Sequence, residues 1–266
     1  MTQSQPRASE RAVAVVRGAQ RGARLVEYAP WLARDYLTNQ GPATGIVVLL
    51  VGITTVVPAI QGLMGGRASF GQIPLDLANN MLRVIVTPLA FIGVLFSTNG
   101  IVANDRKLGY YRFLFAKPVS PPWYYATAFL VHGLGLLVIS LAIAGIWYVA
   151  VRPEVPLKLL LVVAIIYVAY GGVGFLLSAA WRFDWLSLVT VMLVANVGWT
   201  VWGKETGIRH SLLYLLPPVH RDDDVYGMVV RSASVPWESI AWLMGYGIIC
   251  FVLGMIVIRR RPLGTS

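Results

Sequence analysis

Six apolar stretches dominate the chain, at residues 46–65, 84–103, 124–151, 157–181, 185–202 and 240–258. Each is close to the roughly 20 residues that a helix needs to cross the hydrocarbon of a bilayer. The third is long enough to tilt. The fifth has the least sharply marked ends, because Asn196 and Gly198 interrupt it. A backbone in hydrocarbon must satisfy its own polar groups, which restricts runs of this kind to helices. The expected fold is therefore an all-α integral membrane protein with six transmembrane helices. Composition agrees: 57% of the residues are hydrophobic and 13% charged, against about a quarter charged in soluble domains.

The net charge of +10 does not point to nucleic acid. A nucleic-acid binder gathers Lys and Arg on one soluble face, whereas here they flank the apolar runs. Their distribution predicts orientation instead, since cytoplasmic loops carry the excess of Lys and Arg. With both termini inside, fourteen of the 22 basic residues and five of the 12 acids are cytoplasmic, leaving +9 inside and +1 outside. The expected location is the cell membrane, multi-pass, with both ends in the cytoplasm. Cys250, the single cysteine, lies in the last apolar run and has no internal partner for a disulfide, so the redox compartment stays undetermined. No cleavable signal peptide is expected, because the basic, mixed first 45 residues lead into a run long enough to span.

Residues 1–45 divide into a cytoplasmic tail and an interfacial helix. Leu25, Tyr28, Leu32 and Tyr36 recur at helical spacing beside Trp31, behind a basic row of Arg17, Arg21 and Arg24. This pattern predicts a helix lying on the inner leaflet, begun or kinked by Pro30. The alternative, a disordered basic leader, suits residues 1 to about 15. The six-helix domain is expected over 46–258, followed by a basic cytoplasmic tail at 259–266. Only residues 152–156 separate the third and fourth runs, which makes those helices antiparallel neighbours. The segment 203–239 is far longer and is expected to form a small extracytoplasmic cap of short helices before the last span.

The loop after the second run reads Asn104-Asp105-Arg106-Lys107-Leu108-Gly109-Tyr110-Tyr111-Arg112-Phe113-Leu114-Phe115-Ala116-Lys117-Pro118-Val119-Ser120. An amphipathic segment held between two spans is suited to passing a push from a soluble partner. Phe113, Leu114 and Phe115 offer apolar surface to a groove, while Arg106, Lys107 and Arg112 offer charge complementarity. The plainer alternative is a basic loop touching lipid headgroups. At this point the chain resembles the ABC-2 family of ATP-binding-cassette transporter permeases. Asp105, Gly109, Leu114, Pro118, Val119 and Ser120 match that family's pattern in order and spacing, and Gly171 to Ser178 resembles its fourth span. The family often has Glu where Asp105 stands and Thr where Tyr110 stands.

The resemblance implies a permease subunit that exports a hydrophobic or amphiphilic substrate. It implies a second permease subunit, most simply in a homodimer, and a separate ABC ATPase subunit that carries ATP and Mg. It also implies that Asp105, Arg106, Gly109, Arg112, Phe113, Leu114, Lys117 and Pro118 couple this chain to that ATPase. No cofactor is expected in this chain. The sequence holds no G-x-x-x-x-G-K-[ST] phosphate loop, no H-E-x-x-H and no G-x-S-x-G elbow, so a transport subunit rather than an enzyme is expected. The rival readings are an ATPase-independent secondary transporter or channel, and a non-transporting membrane anchor subunit.

Polar residues within the runs are candidate substrate-path groups: Asn99, His132 and Asn196. Their plainer role is to join helices by hydrogen bonds. Gly171, Gly172 and Gly174 fit close helix packing. Pro58 and Pro88 are expected to kink the first two spans. The run Asp222-Asp223-Asp224 suits either a cation such as calcium or, in the favoured reading, a solvated charged tip.

Overall fold

The computed structural model describes residues 28–46, 50, 53, 75–98, 101–102, 105, 120–150, 157–180, 185–230 and 234–260. All regular structure among them is helical. Helices α1 (Leu75–Thr98), α2 (Pro121–Ala150), α3 (Leu157–Ala180) and α4 (Trp185–Trp202) are followed by the short α5 (Ile208–Leu213), a 3-10 turn (Val219–Arg221), α6 (Asp222–Val230) and the long α7 (Trp237–Arg260). Three stretches are long and apolar enough to cross a membrane: Pro121–Gly145, Leu157–Ala180 and Trp237–Arg260. Shorter apolar helical stretches run Leu89–Thr98 and Leu186–Trp202. The first predicted span lies outside the described residues except at positions 46, 50 and 53, and with it the proposed kink at Pro58.

Helix α3 is the centre of the bundle. Of its membrane-length window 72% is buried, against 39% for α2 and 28% for α7. A helix apolar on every face is the kind that can be surrounded in this way. Its closest neighbour is α7, and glycines explain how close. A Cβ on Gly172 would overlap the Gly247 carbonyl, and a Cβ on Gly247 would overlap the Val168 carbonyl. Further along, Gly254 faces Phe175 and Leu176. The contacts advance in the same sense on both helices, so α3 and α7 run parallel. Small residues that let backbones meet are the usual means of helix association where lipid removes the hydrophobic drive.

Helix α2 crosses α3 in the opposite sense: Phe129 meets Phe175, while Gly133 meets Tyr167. These are the antiparallel neighbours expected from their short connection. Phe129, Tyr167, Phe175 and Phe251 form a ring cluster joining α2, α3 and α7, with centroid separations of 4.8 to 5.9 Å. The Tyr167 hydroxyl donates to the Phe129 carbonyl at 2.6 Å, so the polar end of a buried ring is satisfied. Gly171 and Gly174 both face Thr98 of α1, confirming the packing role expected for the glycine run.

Two segments pack more closely than their sequence patterns suggest. Residues 28–46 are helical, with one π-helical turn at Tyr36–Gln40, but they do not simply present their stripe outward. Trp31 is 53% exposed, whereas Leu32 and Tyr36 are buried against the bundle. The 203–239 segment does form short helices, yet α6 is packed against α1, α3 and α7 rather than laid over them. Val225 and Met228 of α6 have no exposed surface. Its apolar side is needed to fill a gap between the three longer helices.

Candidate functional site

Three polar junctions stand out in an otherwise apolar bundle. The first is built on Tyr36, which the π-helical turn carries between α1 and α2. Its hydroxyl is 3.0 Å from the Ser97 hydroxyl. Its ring lies 5.0 Å from that of His132 and fills the space beside Gly135. His132 Nδ1 is 2.6 Å from the Ser97 carbonyl, which sits in the last turn of α1. That carbonyl has no partner within its own helix, and a ring N–H is a fitting donor. A carbonyl oxygen only accepts, so Nδ1 carries the proton of this bond. His132 thus ties α2 to the end of α1. π-helical turns occur often at functional sites, and this one places Tyr36 in the junction.

The second junction lies at Asp105. The side chain is half-buried and lies near the Tyr125 hydroxyl, in the first turns of α2. Burial pushes its pKa up to about 6; the Tyr125 hydroxyl opposes that rise and the charge of Asp35 adds to it. Asp35 belongs to the amino-terminal helix, where it also accepts from Asn39 at 2.7 Å. Asp105 therefore stands where the amino-terminal helix, the end of α1 and the start of α2 converge. Arg106, Gly109, Arg112, Phe113, Leu114, Lys117 and Pro118 lie outside the described residues, as does Asn99. Asn196 is exposed on α4.

The third junction was not foreseen. Asp222, Asp223 and Asp224 make the first turn of α6, where carboxylates complement the positive end of the helix dipole. They are not a uniformly solvated tip. The Tyr170 hydroxyl of α3 donates to Asp222 Oδ2, and Asp222 Oδ1 is buried without a partner. Burial pushes the Asp222 pKa up to about 7, opposed by the Tyr170 bond and aided by Asp223. Asp224 accepts from Ser239 at 2.7 Å, and Arg221 pairs with Glu238 at 3.0 Å while lying 5.6 Å from the Trp242 ring. The segment is thereby tied to α3 once and to the start of α7 three times. Around it, Trp199 stacks on His220 at 3.7 Å and meets His210 and Tyr214 edge-on. The available signal was Tyr170, a phenol in the middle of an apolar run that must find a partner when buried.

No group of three or more potential metal ligands occurs among the described residues. No protein-family model, curated protein or solved structure matches the chain.

Proposed function

We propose that this chain is the permease subunit of an ABC-2 type transporter, exporting a hydrophobic or amphiphilic substrate with ATP hydrolysed by a separate subunit. The observation that carries the reading is the anchoring of Asp105. It is the leading residue of the segment resembling the family's coupling loop, and its carboxyl is buried near Tyr125 and Asp35. A segment whose leading carboxyl is buried against the start of α2, with Asp35 of the amino-terminal helix nearby, acts as a lever. Force on Phe113 and Leu114 would pass into α1 and α2 together rather than dissipate in a loose loop. Six spans with cytoplasmic termini remain the topology that best accommodates the charge distribution, and the opposed senses of α2 and α3 are consistent with it. The amino-terminal helix would lie at the cytoplasmic interface with Trp31 toward lipid and Tyr36 toward the bundle. The partners would be an ABC ATPase and a second permease copy.

Affinity purification of the tagged chain from its native membranes tests this reading. A subunit with a G-x-x-x-x-G-K-[ST] phosphate loop should be retained in near-stoichiometric amount. A pure chain with no such subunit, active in reconstituted vesicles without ATP, would favour an ATPase-independent transporter. One observation supports that second reading: Asp222, a carboxyl with a pKa of about 7, is packed against a mid-helix tyrosine. Buried acids of this kind serve as proton carriers in secondary transporters.

A further inference from the structure

We propose that the groove between the first turns of α2 and the last turns of α7 binds an anionic phospholipid. The groove holds about 990 Å³, at the upper end of the range of small-molecule sites. Ala126, Phe251 and Met255 form its floor, and Ser120, Trp123 and Arg259 stand at its mouth. The two parts differ in chemistry. Phe251 belongs to the ring cluster at the bundle centre, which makes the floor firm, and Met255 adapts to an irregular apolar occupant. Trp123 is 64% exposed in the first turn of α2, as aromatic residues at headgroup depth are.

Arg259 and Arg260 form the last turn of α7 and are exposed. Among the described residues the single ion pair is Arg221 with Glu238, in the 203–239 segment, so no described acid pairs with Arg259. An apolar trough ending beneath the exposed Arg259 guanidinium fits acyl chains below a phosphate. A zwitterionic headgroup would bring its own cation against Arg259, whereas an anionic one would not. The proposal rests on the reading that this end of the chain lies at the cytoplasmic face, where juxtamembrane basic residues meet anionic lipid. It does not require an ATPase.

The test is native mass spectrometry of the purified full chain in detergent, titrated with phosphatidylglycerol or phosphatidylcholine of matched acyl chains. One basic residue near a lipid surface is worth about a fivefold preference, so phosphatidylglycerol should saturate at about fivefold lower concentration. Arg259→Gln should abolish that preference, and Arg209→Gln, an exposed cation in the 203–239 segment, should keep it. Equal retention of the two lipids by the unaltered chain would overturn the proposal. So would an unchanged preference in Arg259→Gln, an equal loss in Arg209→Gln, or displacement of the lipid by inorganic phosphate. If Arg259→Gln is not monodisperse, photo-crosslinking of the unaltered chain with a diazirine-bearing phosphatidylglycerol decides instead. Label on the peptides holding Trp123 or Met255 supports the site, and label confined elsewhere overturns it. A chain that retains an ATPase without lipid preference refutes this site and leaves the transporter reading standing; the converse result separates them the other way.

Discussion

The ring of Tyr36 occupies the space that any side chain at position 135 would need, so the amino-terminal helix docks into a notch that glycine keeps open in α2. Its hydroxyl reaches Ser97 of α1 from there. One aromatic residue thus holds the leader against two of the long helices.

Gly135→Leu should expel the Tyr36 ring and cost about 1–3 kcal/mol, the usual scale of overpacking. Tyr36→Phe keeps the ring and loses only the hydroxyl contact, for about 1 kcal/mol. Thermal unfolding of the purified chain should rank them in that order below the unaltered protein. Limited trypsin digestion should cut at Arg34 faster in Gly135→Leu alone. Equal cleavage in all three would contradict the docking.

The backbone contact between α3 and α7 makes a sharper contrast. Gly247→Ala must push the Val168 carbonyl aside, whereas a methyl at Gly245, two residues earlier, meets nothing within 4 Å. Gly247→Ala should therefore lose about 1–3 kcal/mol. Gly245→Ala should be neutral or gain up to about 1 kcal/mol from helix propensity. Similar losses from both would mean that α7 is held by some other face.

These helices were largely legible in the sequence, because a membrane-length apolar run admits little else. The fifth run and α4 share the bounds 185 and 202, and the fourth run differs from α3 by one residue at its end. The second run was read too late. Helix α1 starts at Leu75, nine residues before 84, because its first turns carry Asp76, Asn79, Asn80 and Arg83. Hydropathy marks the part of a helix suited to lipid and is blind to polar turns that extend it. The junctions were not legible for a different reason. Tyr36 and Ser97 are 61 positions apart, and Tyr170 and Asp222 are 52. No local period encodes such pairings, and three adjacent acids look the same whether one of them is buried or all are solvated.

Asp222 makes stability depend on pH in a defined direction. Its ordinary carboxyl pKa of 3.8 rises to about 7 in the folded chain, so the folded state favours the protonated form. The stabilisation is complete below about pH 4 and is lost as pH rises to about 7. Thermal stability should fall over that interval, and Asp222→Asn, which stays neutral, should flatten the profile and exceed the unaltered chain at pH 8. Identical profiles would show that Asp222 is ionised in the folded protein at all these values.

Segment 104–120 is the proposed contact with an ATPase. Burying a Phe or Leu side chain is worth about 1.5–3 kcal/mol, so removing both should weaken docking by about two orders of magnitude. The direct measurement is retention of the ATPase subunit on the purified Phe113→Ser, Leu114→Ser double variant. The expected result is normal expression, a monodisperse permease, no retained ATPase and no transport. A double variant that still holds the ATPase and transports normally would contradict it, leaving the segment a connector that touches only lipid.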